Sequence, residues 1–458
     1  MYKEDTIAAI ATPEGEGGIG IVRVSGPDAE RIANRIFHRS RGKNGKLRSH
    51  TLYYGTVRAP ENDVELDEVL LAIMRKPHSY TGEDVFEVHC HGGPLLVRQI
   101  LELVLAEGAR HAEAGEFTKR AFLNGRIDLA QAEAVVDLIR ARTEKGLNLA
   151  ANQVRGELSK WVGELRENLL DVLVQVEAAI DFPEEEIELL QRPDLGAKIA
   201  ALREKIVTII ASYEWGRLYR EGAKICVCGR PNVGKSSLLN ALLGEQRVIV
   251  TPVPGTTRDV IEESINLGGL PAIVWDTAGI RETDDQVESM GVGLSLKYLE
   301  KADVALAVLD GSELLTSEDH YLLSAIKAKK SLVVLNKNDL PLKLDVSSLQ
   351  EAIGAHGLVS ISAMQGNGLE KLKTALRELV LGNQTEPPIV ITNTRHKAAL
   401  ARTEESLRVV TGALNNGQPP EILAVGLQEA KDALEEIIGA VTSQEILERI
   451  FSSFCIGK

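Results

Sequence analysis

The sequence predicts a multidomain chain of mixed class: a small α+β domain, a helical domain in two halves, and a mainly parallel α/β sheet with helices on both faces inserted between those halves. Three observations carry this. The 458 residues exceed one core at roughly 150 residues per domain. No proline falls between Pro94 and Pro183, where apolar residues recur at helical spacing, and that spacing returns after about residue 393. Between the helical stretches, from Lys224 onward, short apolar runs alternate with helix-like segments.

Composition narrows the class. Hydrophobic residues are 44% and charged residues 26%, which is ordinary globular composition and excludes wholesale disorder. Lys plus Arg is 52 and Asp plus Glu is 66, a net charge of −14. Such a chain does not coat nucleic acid or anionic membrane indiscriminately. Four cysteines make no disulfide framework, and a reducing, cytoplasmic setting fits best. Cys226 and Cys228 are expected on opposite faces of a buried strand, unbridged. No signal peptide and no run of about 18 apolar residues is found, so no membrane partner is expected.

Taken in order, residues 1–120 hold strand candidates at Ile19–Val24, Leu52–Val57, Val69–Ile73 and Val85–Val88, with a helix at Arg98–Glu107. In residues 121–220, Leu129, Ala132, Val136 and Ile139, then Leu158, Trp161, Leu165, Leu169, Val172, Val176 and Ala179, read as one apolar stripe on a long helix. A further helix is expected from about Asp194 to Arg220. Residues 221–381 hold the parallel-strand candidates Ile225–Cys228, Ala272–Trp275, Val304–Leu309, Leu332–Leu335 and Leu358–Ile361. Residues 382–458 complete the helical domain.

The α/β segment carries the chemistry. Gly229-Arg230-Pro231-Asn232-Val233-Gly234-Lys235-Ser236 fits G-x-x-x-x-G-K-[ST] between a strand and a helix, the context the motif requires. Its backbone amides cradle phosphates, Lys235 supplies a point charge, and Ser236 ligates magnesium. Asp276-Thr277-Ala278-Gly279 follows a strand, placing an acid at the magnesium shell and an amide at the γ-phosphate. Asn336-Lys337-Asn338-Asp339 follows another, and Asp339 can accept two hydrogen bonds from guanine, which adenine cannot offer. Ser362-Ala363 ends the last strand beside the guanine carbonyl. Ile280 stands where many small GTPases carry a water-orienting glutamine, so another group must orient the water, and Glu288 is a candidate. The charge-neutralising role falls either to Arg258 or to a monovalent cation held by Asn232 and the Thr251–Thr257 loop. This segment resembles the translation-factor-related class of P-loop GTPase domains.

The remaining blocks narrow the resemblance. They are Ala11-Thr12-Pro13, Gly17-Gly18-Ile19-Gly20, Tyr80-Thr81-Gly82-Glu83-Asp84, His91-Gly92-Gly93, Gly115-Glu116-Phe117-Thr118-Lys119-Arg120-Ala121-Phe122-Leu123-Asn124 and the terminal Cys455-Ile456-Gly457-Lys458. With the inserted domain they resemble, over essentially the whole chain, the bacterial MnmE (TrmE) family of tRNA modification GTPases. That resemblance implies an N-terminal α+β folate-binding (TrmE-N-like) domain, a discontinuous helical domain and an inserted Ras-like P-loop GTPase domain. It implies a homodimer joined through the N-terminal domains and an FAD-dependent partner, MnmG (GidA), in a heterotetramer. The cofactors implied are GTP, Mg2+, K+ and a reduced folate, 5,10-methylenetetrahydrofolate or its analogue 5-formyltetrahydrofolate. The activity implied is addition of an aminomethyl or carboxymethylaminomethyl group at C5 of the wobble uridine of certain tRNAs, with potassium-stimulated GTP hydrolysis.

The resemblance also assigns residues. Nucleotide contacts fall on Asn232, Val233, Gly234, Lys235, Ser236 and Ser237; on Thr251, Pro252, Val253, Pro254, Gly255, Thr256 and Thr257; on Asp276, Thr277, Ala278 and Gly279; on Asn336, Lys337 and Asp339; and on Ser362 and Ala363. Asn232, Thr251, Val253 and Thr256 match potassium ligands, and Ser236 and Thr257 match magnesium ligands. Glu288 matches the water-orienting glutamate, so the catalytic set is Glu288, Lys235, Thr257 and Asn232. Folate contacts fall on Arg23, Glu87, Arg126 and Lys458, and Cys455 is a candidate reactive thiol. His89-Cys90-His91 is not read as a metal site, because neighbours on a strand face opposite ways. Residues 31–50 hold seven Lys or Arg and no acid, the best local candidate for RNA phosphates. The competing function is a non-modifying GTPase switch such as a ribosome-assembly factor, which needs neither the folate-type domain nor the terminal motif.

Overall fold

The computed structural model describes residues 5–40, 46–181, 192–245, 262–276, 298–344, 346–353, 357–382, 387 and 389–458. The chain divides into two compact units. One gathers Met1–Val136, Val154–Arg166 and Lys431–Lys458, and the other Asp137–Gln153 and Glu167–Ala430.

The first unit is built on a seven-stranded sheet. Its strands are β1 (Ile7–Ile10), β2 (Gly17–Ser25), β3 (Phe37–Arg39), β4 (Thr51–Ala59), β5 (Val64–Met74), β6 (Val85–Gly92) and β7 (Arg110–His111). They lie in the order β3-β4-β5-β6-β2-β1-β7, antiparallel except where β1 meets β7. Alternation along the strands separates two faces. Val22, Val24, Phe86, Val88, Leu71 and Ile73 face a core closed by α1 (Ala29–Ile36) and α2 (Pro94–Ala106). Each such side chain contributes about 1.5–3 kcal/mol on burial. Arg23 and Glu87 are paired in register and lie on the other face. The predicted strands and helix are all present. β1, β3 and β7 are additional, too short to show a period.

The helical region corrects the single long stripe. It comprises α3 (Glu116–Leu123), α4 (Leu129–Arg140), α5 (Glu144–Val154) and α6 (Glu157–Asp181). Polar punctuation, not apolar spacing, sets the breaks. Asp128 and Gln131 form a reciprocal cap at the start of α4. Thr143 Oγ1 accepts the Gly146 amide and caps α5. Gly156, at φ +85°, ends that helix. The helix expected from about Asp194 to Arg220 is likewise two, α7 (Arg192–Ala211) and α8 (Tyr213–Glu221). Ser212 divides them: its hydroxyl donates to Ile209 O and accepts the Ile391 amide.

The α/β portion alternates β8 (Ala223–Cys228), α9 (Lys235–Glu245), β9 (Glu262–Leu267), β10 (Leu270–Asp276), β11 (Val304–Asp310), α10 (Ser317–Ile326), β12 (Ser331–Asn336), α11 (Val346–Ile353), β13 (Gly357–Ser360) and α12 (Leu369–Leu381). The sheet order is β13-β12-β11-β8-β10-β9. All pairs are parallel except the β9–β10 hairpin. Both faces are buried: Ile225, Val227, Leu306 and Val308 on one side, Cys226, Cys228, Ala305 and Ala307 on the other. Cys226 and Cys228 therefore share a face, correcting the expectation, as residues two apart on a strand must. Neither is in a disulfide. After α12 the chain closes with α13 (Thr394–Asn415), α14 (Pro420–Ile438) and α15 (Gln444–Phe451). Among the described residues no helix is long and apolar enough to cross a membrane.

Candidate functional site

Two clusters of predicted residues form, one in each unit. In the α/β unit, β8 ends at Cys228 and α9 begins at Lys235, so residues 229–234 turn at the strand's carboxyl end. Asn232 at φ +65° and Gly234 at φ +96° set the turn. A Cβ at Gly234 would lie 2.3 Å from Asn336 Nδ2, so only glycine lets the two loops meet. Lys235 is buried and its Nζ donates to Gly229 O (2.9 Å) and Arg230 O (2.8 Å). Ser236 and Ser237 are exposed in the first turn of α9, where free amides and the helix dipole favour an anion.

Asn336 ties three motifs together. It is buried, donates through Nδ2 to Val233 O (2.9 Å) and accepts at Oδ1 from the Ala363 amide (3.0 Å). The Asn338 amide donates to Ile361 O (3.0 Å). Phosphate loop, Asn336–Asp339 loop and the buried pair Ser362 and Ala363 thus share one corner, with Asp339 exposed beside it. Lys337 adopts φ +64° and its Nζ pairs with Asp310 Oδ2 at 2.6 Å. Asp276 ends β10, whose neighbour in the sheet is β8. Thr251, Pro252, Val253, Pro254, Gly255, Thr256, Thr257, Arg258, Thr277, Ala278, Gly279, Ile280 and Glu288 lie outside the described residues.

In the first unit, the face of the sheet opposite the core holds Arg23. Its Nε donates to Glu87 Oε1 (2.7 Å) and one terminal nitrogen to Gly457 O (3.2 Å). The guanidinium carbon stands 5.7 Å from the Phe117 ring centre and 5.9 Å from that of Tyr80. Burial works against the Glu87 charge, yet Arg23 and then His89 outweigh it and hold the carboxyl below its ordinary range. Burial, and then the Arg23 charge, push the Lys458 amine below its ordinary value, with Glu87 opposing. Burial raises the Tyr80 phenol against a Thr118 hydrogen bond and the charges of Arg23 and Arg126. Arg126 itself is exposed. Of the four predicted residues, Arg23, Glu87 and Lys458 are brought to one neighbourhood, Arg126 is linked to it through its charge on Tyr80, and Cys455 is exposed near it.

The terminal motif reaches this corner through its backbone. Ala114 bridges Ile456, and the Gly115 amide donates to Cys455 O at 3.3 Å. Behind it lies a buried ion cluster that the sequence reading did not single out. Arg120, 2% exposed, donates to Asp5 Oδ1 (2.6 Å), Glu116 Oε1 (2.9 Å) and Glu83 (3.2 Å). A guanidinium withdrawn from water needs such partners. The cluster joins two of the quoted blocks, and Tyr80 OH meets Thr118 Oγ1 at 2.9 Å across the same junction. Tyr80 and Phe117, the two rings beside the Arg23 guanidinium, were also overlooked. Their presence in those blocks was the available signal.

Two further expectations are located. His89 Nε2 lies 3.1 Å from Glu87, His91 Nδ1 2.8 Å from Asp67, and Cys90 Sγ donates to Gly20 O. Among the described residues no group of three or more His, Cys, Asp or Glu gathers as metal ligands. In the basic stretch, Arg31 pairs with Asp28, Arg35 with Glu107, and Arg39 stacks 4.0 Å from the Tyr53 ring centre. Acids from outside residues 31–50 thus offset part of that charge. Arg41 and Lys43 lie outside the described residues.

Comparison with known proteins covers both units. A family model described as the GTP-binding protein TrmE N-terminus matches residues 6–126, and one described as the MnmE helical domain matches 129–455. The tRNA modification GTPase MnmE of Natranaerobius thermophilus is 47% identical over 457 residues, 99% of this chain and 100% of that one. That of Geobacter metallireducens is 48% identical over 461 residues, 100% of each. The solved G domain of the T. maritima FeoB iron transporter is 29% identical, covers 34% of this chain and 98% of that one, and has a TM-score of 0.27.

Proposed function

This chain belongs to the MnmE family of tRNA modification GTPases, and from that premise we propose how its two sites divide the work. The α/β unit hydrolyses GTP. The first unit binds a reduced folate whose one-carbon unit, with an FAD-dependent MnmG-type partner, is used to add an aminomethyl or carboxymethylaminomethyl group at C5 of the wobble uridine of tRNA. The proposed domains are 1–120, 121–220, 221–381 and 382–458, and the proposed setting is the cytoplasm.

The observation that carries the folate reading is the Arg23–Gly457 hydrogen bond. It brings the last residues of the chain to a strand near its start, so that Arg23, Glu87 and Lys458 share one electrostatic neighbourhood. A reduced folate supplies the one-carbon group. The residues do the rest. Glu87, kept ionised by Arg23, is an acceptor suited to the N–H edge of a pterin. Arg23 and Arg126 are cations suited to a carboxylate tail. Tyr80, partly buried, offers a flat apolar wall, and Phe117, fully buried, backs the Arg23 guanidinium from the core side. Leu52, Tyr54 and Leu70 are exposed on this same face of the sheet, and Tyr54 and Leu70 are register partners. That apolar patch supports a homodimer joined through the N-terminal sheet.

In the nucleotide site, Lys235 holds phosphate oxygens, and Ser236 with Thr257 would hold magnesium, which supplies charge neutralisation at the β- and γ-phosphates. Asn232, exposed and left-handed at the loop's crown, is suited to a potassium ion with Thr251, Val253 and Thr256, and Glu288 is the proposed water-orienting group.

Two experiments test this reading. Calorimetry of the full chain with 5-formyltetrahydrofolate should give saturable binding. Its absence, with folded protein confirmed, would favour the non-modifying GTPase switch. GTP hydrolysis should be faster in potassium than in sodium at equal ionic strength, and Asn232→Ala should erase the difference. Equal wild-type rates in the two salts would reduce Asn232 to a loop residue.

A further inference from the structure

One charged segment, between β11 and the first turn of α10, touches both nucleotide loops. At its start Asp310, 5% exposed, meets Lys337 Nζ through Oδ2 and accepts at Oδ1 from the Ser312 amide (2.9 Å) and hydroxyl (2.6 Å). Burial opposes the Asp310 charge, but the Lys337 and Ser312 donors outweigh it and keep the carboxyl below its ordinary range. Next, the Gly311 amide donates to Asn336 O at 2.9 Å. At the far end Asp319 is locked into a capping box with Thr316. Its Oδ2 lies 3.3 Å from Arg230 Nε, and Glu313 Oε2 accepts from another Arg230 nitrogen at 2.5 Å. Arg230 belongs to the phosphate loop and Lys337 to the guanine loop.

We propose that the Asp310–Asp319 segment is a clamp on both nucleotide loops, in which Asp310 positions Lys337 against the purine and Arg230 anchors the phosphate loop. The left-handed backbone of Lys337 is sparsely populated for a residue with a Cβ, and it persists where its surroundings over-determine it. Asn336 is fixed before it and Asn338 after it, and Asp310 fixes the amine. Arg230, engaged with two carboxylates, is a tether rather than a group free to neutralise phosphate charge. Asp310 and Arg230 act through the loops and are positioning residues.

The inference rests on the guanine-nucleotide reading, which wild-type preference for GDP over ADP tests separately. Fluorescent GDP and GTP are titrated into the full chain carrying Asp310→Asn, Arg230→Gln, Lys337→Met or Asp310→Asn with Lys337→Met, alongside steady-state hydrolysis. Asp310→Asn should weaken GDP and GTP by the same factor, about tenfold, with kcat at saturating GTP unchanged. Arg230→Gln should also weaken both. In the Lys337→Met background Asp310→Asn should add less than about twofold, since its action runs through that amine. Undiminished affinity in Asp310→Asn or in Arg230→Gln overturns the clamp. So does an equal loss from Asp310→Asn in both backgrounds, which would mark a general effect on folding.

Discussion

Asp339→Asn should lower GTP affinity at least about 1,000-fold, the scale on which a site built for a particular hydrogen-bond pattern rejects a mismatch. The frame supporting Asp339 is rigid: Asn336 bonds to Val233 O and the Ala363 amide, and the Asn338 amide to Ile361 O. The loop therefore cannot swing to find a compensating acceptor. Asp339 is itself exposed, so the substitution leaves the core packing of Leu332 and Val334 untouched. In the proposed complex guanine would present two adjacent donors to this side chain, and an amide could accept only one of them while pointing its own N–H2 at the other. Xanthine carries a carbonyl in place of the amine, so the variant should gain XTP hydrolysis as it loses GTP hydrolysis. An unchanged KM for GTP would show that Asp339 does not read the base.

Gly457→Ala should lower reduced-folate affinity about 100-fold or more while leaving GTP binding intact. Gly457 has φ +94°, and an added Cβ would lie 2.2 Å from Ile10 O and 3.2 Å from Ala11 Cα. These are backbone atoms at the end of the paired strand β1 and of the residue after it, whose amide is bonded to Ile21 O, and they cannot step aside as a side chain would. The left-handed backbone adds about 1–3 kcal/mol of strain for a residue with a Cβ. The tail must then leave its seat, losing the bond from Arg23 to Gly457 O, a charge-assisted contact of about 1.5–3 kcal/mol, together with the placement of Lys458. Calorimetry with 5-formyltetrahydrofolate and with GDP on the same preparation decides it. Full folate affinity in the variant would remove the tail from the binding site.

Motifs contiguous in the chain were readable before any coordinates. Gly229–Ser236 and Asn336–Asp339 each sit at the end of an all-apolar run, and a strand buried on both faces announces itself that way. β9 was missed because Glu262, Glu263 and Ser264 give it no such run, and an edge strand needs none. The division of residues 129–181 into three helices was missed because no proline separates the two apolar sets, while the breaks at Thr143 and Gly156 come from a side-chain cap and a left-handed backbone. The corner at Arg23 was legible only by resemblance: no periodicity links residues 23, 87 and 458, which meet through strand register and a threaded tail. Arg120 was passed over for a related reason. Its partners Asp5, Glu83 and Glu116 are scattered, and a buried cation surrounded by acids looks, in one dimension, like any surface arginine.

The Arg23–Gly457 bond closes a loop of 434 residues. For a flexible chain the entropy of closing a loop rises only with the logarithm of its length, about 0.6 kcal/mol per doubling. A whole nucleotide-hydrolysing module can therefore sit inside that loop at an entropic penalty smaller than one ordinary hydrogen bond. The architecture is tolerant of what is spliced into its middle and intolerant of a single methyl group at its end.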